Sequence, residues 1–118
     1  MAYILLIVEP RGQRASRSSD EAHRRYDEML AFGQDLQERG LLRASESLRS
    51  DEQGVRVSLK DETTQLRDGP FAEAKEMVGG FYLIDVATRD EAVAIAARCP
   101  AARWSSVEVR ECAPCHET

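Results

Sequence analysis

Two apolar runs, Tyr3 to Val8 and Phe81 to Val86, constrain this chain most, because each is hydrophobic at consecutive positions and each leads into a helix-start signal. Hydrophobic side chains on both faces mark strands in the middle of a sheet rather than at its edge. After the first run, Ser18 and Glu21 are spaced as a capping box, and Ala22, Tyr26, Met29, Phe32 and Leu36 recur on one face as far as Gly40, the left-handed stop. After the second, Thr88 and Glu91 repeat the capping spacing, and Ala92, Ile95, Ala96 and Cys99 form the buried stripe of a helix that Pro100 ends. Between the first run and its helix, Arg11 to Ser19 is polar and rich in Arg and Ser, the composition of a mobile loop.

The remaining elements are shorter. Leu41 to Leu48 alternates as a strand with Leu42, Ala44, Glu46 and Leu48 on one face and Arg43, Ser45, Ser47 and Arg49 on the other. Val55, Val57 and Leu59 alternate with Arg56, Ser58 and Lys60, and Thr63 to Arg67 returns after the Lys60-Asp61-Glu62 turn, giving a hairpin appended to the main sheet. Asp68-Gly69-Pro70 is turn chemistry, with Pro70 placed to open a short helix over Phe71 to Met77 that Gly79 stops; Gly80 then begins the next strand. Trp104 to Arg110 is the last strand, Val107 and Val109 opposing Glu108 and Arg110. The order strand, helix, strand, hairpin, strand, helix, strand predicts an α+β, ferredoxin-like fold. Two β-α-β units with an inserted hairpin share one antiparallel sheet, with helices on one face. The bare face calls for a second copy, a homodimer.

Composition excludes several function classes. A chain of 118 residues, 42% hydrophobic, supports one core and one domain. A net charge of -5, with no basic stripe interleaved with aromatics, argues against a nucleic-acid groove or an anionic membrane surface. Ala2 to Val8 is too short for a membrane span and lacks the flanks of a signal peptide, so a cytoplasmic protein is expected. Three cysteines, Cys99, Cys112 and Cys115, read as free thiols. Cys112-Ala113-Pro114-Cys115-His116 has the spacing of a c-type haem attachment but no βαβ context around it, and it reads as a polar tail without cofactor. No dense cluster of His, Cys and carboxylates points to a metal site.

More specific is the set Asp68-Gly69-Pro70-Phe71-Ala72-Glu73, Lys75-Glu76, Gly79-Gly80-Phe81-Tyr82-Leu83-Ile84, Cys99-Pro100-Ala101-Ala102-Arg103 and Val107-Glu108-Val109-Arg110. In these residues the chain resembles the DGPF-type branch of the YCII-related family, from the first strand to Arg110, which makes 1–110 the domain and 111–118 a tail. The resemblance implies a dimeric α+β barrel-like fold, a cytosolic bacterial protein, and a regulatory setting beside extracytoplasmic-function sigma factors. The other branch carries a proposed His and Asp catalytic pair. This chain departs from it, offering Tyr26, Met29 and Phe32 on the corresponding helix face, with His23 nearer the helix start.

Glu46 is the candidate acid or base: a carboxylate on an apolar strand face is desolvated, which raises its pKa toward neutrality. Its alternative role is an ion pair with Lys75 or Arg103, or a rim position with the carboxylate in water. Asp68, Glu73, Lys75, Tyr82 and Arg103 are the candidate ligand-binding residues, although turn-making explains Asp68 and a solvated face explains Glu73, Lys75 and Glu76 equally well. Gly79-Gly80 precedes a strand, the reverse of a phosphate loop. The function these residues point to is binding of a small polar metabolite in a cleft between helices and sheet. The alternatives are a small acid/base enzyme using Glu46, or a regulatory interaction partner of sigma factors.

Overall fold

The protein is described by a computed structural model covering residues 1–71 and 73–118. Strand β1 (Ala2–Pro10) leads to helix α1 (Ser19–Glu38) and strand β2 (Leu42–Ser47). A hairpin of β3 (Val55–Lys60) and β4 (Thr63–Asp68) follows, then β5 (Glu76–Asp85), α2 (Arg89–Arg98) and β6 (Ser106–Glu111). The main sheet has the order β2-β5-β1-β6 with every neighbouring pair antiparallel, the ferredoxin-like arrangement expected from the sequence. The two apolar runs are its central strands. Both helix starts are capped as their spacing requires: Ser18 Oγ accepts from Glu21 N at 3.1 Å, and Thr88 Oγ1 accepts from Glu91 N at 3.2 Å. Gly40, at φ +72°, turns the chain out of α1.

The core lies between the helices and the sheet. Tyr3, Leu5 and Ile7 from β1 and Tyr82 and Ile84 from β5 are buried against Leu36, Ile95 and Cys99. Leu5, Leu36, Ile84 and Cys99 are the fully buried ones. The stripe on α2 is buried as its periodicity predicts, whereas the stripe on α1 is only half so. Leu36 and Gly33 are buried, Met29 and Phe32 pack against the core, and Tyr26 is 50% exposed. A cleft lies between α1 and the sheet, lined along the helix from Ala22 to Gln37.

Three local expectations are corrected. No helix forms between Phe71 and Met77 among the described residues, residue 72 lying outside them; β5 begins at Glu76 and runs through Gly79 and Gly80. Central-strand pairing with β1 overrides the local helix-start chemistry of Pro70. The Arg11 to Ser19 loop, for its part, is anchored at several points along its length, as shown below. Most consequentially, β2 does not alternate as read. Leu42 pairs with Ile84 but Ala44 with Leu83, so Arg43 is an extra residue, and Glu46 stands opposite Phe81 instead of facing the helices.

The β3–β4 hairpin projects from this body, pairing in register about a two-residue turn in which Asp61 and Glu62 both have positive φ. One of its faces carries Val57, Leu59 and Leu66, each at least 64% exposed. The projection explains a radius of gyration of 16.1 Å, where about 13.5 Å is ordinary for this length. No helix is long and apolar enough to cross a membrane among the described residues.

Candidate functional site

The cleft between α1 and the sheet has a volume of about 500 Å³. Its floor is Ile7 and Glu9 of β1, Gly79 to Tyr82 of β5, and Ser45 and Ser47 of β2. Tyr26, Met29 and Gly33 of α1 form its roof, and Arg14, Arg17 and Trp104 close one end. The bulge at Arg43 turns Ser45 and Ser47 toward Tyr82 and Gly80, and so makes the β2 edge of the floor polar and small. Arg43 is held in the bulge by Asp85, whose Oδ2 it reaches at 2.9 Å.

Glu9 is the buried carboxylate among the described residues, 5% exposed. It continues the inward face of Tyr3, Leu5 and Ile7, and at this depth it needs a partner. Arg14 supplies one: its Nε donates to Glu9 Oε1 at 2.5 Å and its Nη2 to Glu9 Oε2 at 3.3 Å. The same guanidinium donates to the carbonyls of Leu48 at 2.8 Å and Gly79 at 3.3 Å, tying together the ends of β1, β2 and β5. The pair fits because of a second bulge. Ile7 pairs with Gly80 and Val8 with Val78, leaving Gly79 unpaired, and a Cβ at Gly79 would lie 2.2 Å from Glu9 Oε2. At Gly80 a Cβ would meet the Glu46 carbonyl at 2.8 Å. The Gly79-Gly80 pair therefore serves close backbone packing, as expected, but inside a strand and not at a helix stop.

The cationic wall comes from the polar loop. Successive turns, in which Gln13 N donates to Pro10 O and Arg17 N to Arg14 O, place residues three apart on related sides. Gln13 holds the loop to the far wall, Nε2 donating to the Trp104 carbonyl while Oε1 accepts from Arg17 Nη2 at 2.5 Å and from Ser105 Oγ at 3.2 Å. Arg25 lies 4.7 Å over the Trp104 ring and pairs with Glu21 at 2.6 Å. Arg17 has no carboxylate partner among the described residues, and its Nε is buried without a hydrogen bond. Burial lowers the Arg17 pKa, and the neighbouring Arg25 and Arg14 charges lower it further.

Of the residues singled out in the sequence, Tyr82 alone among the ligand-binding candidates lines the cleft. Its hydroxyl donates to the Met29 carbonyl at 2.7 Å and its ring meets Phe32 edge-on, while burial pushes its pKa well above the usual value. The expected burial of Glu46 is not observed: it is exposed, at the outer edge of the cleft, and the bulge at Arg43 is the reason. Neither Lys75 nor Arg103 pairs with it; Arg103 reaches Glu28 at 3.1 Å from an exposed position. Asp68 is exposed at the end of β4, paired with Val55, and Lys75 is exposed just before β5. Glu73 lies between Arg67, 2.7 Å away, and Arg56, 3.7 Å away, and the Arg67 hydrogen bond holds its carboxyl down at about 2. His23 is exposed and its Nδ1 bonds the Ser19 carbonyl at 2.9 Å, away from the cleft lining.

The described residues between Asp68 and Glu73 are instead part of a structural anchor. Phe71 is buried under the Arg56 guanidinium at 3.7 Å. Gly69 is required because a Cβ there would lie 1.8 Å from the Asp51 carbonyl. Arg11 locks the assembly, gripping the Asp51 carboxylate with both Nη atoms and donating from Nε to the Ala74 carbonyl at 2.8 Å. No group of three or more His, Cys, Asp or Glu gathers as a metal site among the described residues. Cys112, Cys115 and His116 are exposed.

Sequence reasoning missed Glu9, Arg14 and Arg17. The signal was available in Arg11-x-x-Arg14-x-x-Arg17, three cations at a turn-like spacing directly after a strand that ends in an inward-facing carboxylate.

The sequence model of the YCII-related domain matches residues 1–115. A 30-residue stretch is 63% identical to an uncharacterised protein of Rhizobium meliloti (strain 1021), covering 25% of this chain and 24% of that protein. The chain thus matches about a quarter of the length of that curated relative.

Proposed function

This chain belongs to the YCII-related domain family, and on that footing we propose that it binds a small polar metabolite in the cleft between α1 and the sheet. The observation that carries the reading is the cleft itself, about 500 Å³ with an apolar roof and a few convergent polar groups, the usual make-up of a ligand site. Acid/base catalysis at Glu46 is less well supported, since an exposed carboxylate lacks the desolvation that this chemistry needs.

A thermal-shift screen of polar metabolites tests the proposal. A ligand at a hundred times its dissociation constant stabilises the native state by about 2.7 kcal/mol and should raise Tm by several degrees. The shift should vanish in Ser45→Leu, which fills the floor of the cleft. Hits that persist in that variant, or a screen without hits, would sink the reading.

We propose also that two copies pair through the open face of the sheet, where Ile4, Leu6, Phe81 and Leu83 are only partly buried in the single chain.

A further inference from the structure

We propose that the cleft selects a small organic carboxylate, its head group held by Arg17 and its apolar body lying against Ile7, Met29 and Leu30. The inference rests on the binding reading above and adds the charge class of the ligand.

Three guanidinium groups reach the wall of the cleft. Arg14 is engaged by Glu9, and Arg25 by Glu21 and the Trp104 ring. Arg17 is left with a single neutral acceptor, Gln13 Oε1, and with a buried Nε that nothing accepts from. A guanidinium keeps its proton, so this group cannot escape the penalty by neutralising itself. A buried charged donor without an acceptor is held against its own desolvation, and an anion entering the cleft removes that cost. The lowered Arg17 pKa agrees: burial is its main cause and the Arg25 charge adds to it, the nearby Glu9 and Glu21 carboxylates offsetting this only in part.

Geometry and charge narrow the class. A planar guanidinium fork matches a carboxylate with two parallel hydrogen bonds. One uncompensated cation balances one negative charge, and the Glu9 carboxylate in the floor, with Glu46 at the outer edge, repels a second. Beyond the charged end the lining sets Ile7, Met29 and Leu30 beside the neutral Ser45, Ser47 and Gln34, which suits a largely apolar or aromatic body and supplies no cation for a second anionic group.

Trp104 is the chain's single tryptophan and stands in the wall, so its fluorescence reports occupancy directly. The experiment titrates the full chain with benzoate, with its uncharged isostere benzamide, and with phenyl phosphate. Benzoate should bind at least about tenfold more tightly than benzamide, and Arg17→Met should remove that advantage while leaving benzamide unchanged. Arg17→Lys, which keeps the charge without the fork, should fall between. Because Arg17→Met deletes an unsatisfied buried charge, its Tm without ligand should be no lower than that of the wild type, which separates loss of binding from loss of fold. Equal affinity for benzoate and benzamide, or indifference to Arg17→Met, overturns the carboxylate assignment while the cleft remains a binding site. Tighter binding of phenyl phosphate than of benzoate overturns the single-charge argument. If none of the three binds and the metabolite screen is also blank, both readings fall.

Discussion

Arg14 and Glu9 form an ion pair across the mouth of the loop that follows β1, with Arg14 Nε 2.5 Å from Glu9 Oε1. The two partners are unequally placed. The Glu9 side chain is 7% exposed and that of Arg14 33%, so the carboxylate depends on the guanidinium more than the reverse. Removing a partner from a buried pair costs more than the pair contributes, because the remaining charge is stranded.

Arg14→Met should therefore destabilise the protein by about 2 kcal/mol, toward the low end of buried pairs because Arg14 is partly solvated. The double variant Glu9→Gln with Arg14→Met should recover part of the loss. Urea unfolding with an unchanged slope measures both. A double variant no more stable than Arg14→Met alone would show that the carboxylate is not what suffers.

Acid should unfold the protein partly through the anchor of the Asp68-to-Glu73 loop. The Arg11 hydrogen bonds hold the Asp51 carboxyl below its usual range, and Arg67 holds Glu73 at about 2. Folded values lying below unfolded ones near 4 mean that this stability is fully present above about pH 5 and is lost as the pH falls toward 2. Urea midpoints measured from pH 7 to pH 2 should decline less steeply in Asp51→Asn than in the wild type. Glu73→Gln should flatten the curve less, since the Glu73 side chain is 62% exposed and its ion pairs are screened, against 16% for Asp51. An unchanged profile in Asp51→Asn would remove the anchor from the account.

Pairing through the open sheet face predicts that sedimentation equilibrium at tens of micromolar gives twice the 13.2 kDa chain mass. Leu6→Glu, which sets a charge at the centre of that face opposite Phe81 and Glu108, should yield monomers that keep their helical circular dichroism. A wild-type monomer under these conditions refutes the interface.

Much of the fold was legible because its signals are local. Ser18 and Thr88 cap the helices they precede, Gly40 carries the positive φ that its position demanded, and the runs in β1 and β5 are central because both of their faces are apolar. The site was less legible. Tyr82 was found as a polar group within an apolar central strand, whereas Glu46 was placed on the wrong face and Arg17 was taken for part of a mobile polar loop. The short helix expected at Phe71 failed for a related reason: Glu76 to Val78 pairs with Val8 to Pro10, a partner nearly seventy positions away.

Alternation and helical spacing by themselves determined which segments are strands and helices, their order, and hence a ferredoxin-like sheet, because each depends on neighbours within a few residues. Only the tertiary structure decided the side on which each polar group falls. An extra residue at Arg43 reverses every later side chain of β2, and an unpaired Gly79 opens the space that Glu9 fills. Such bulges are chosen by the partner strand and by the ion pairs that settle around them, and these contacts join residues far apart in the chain.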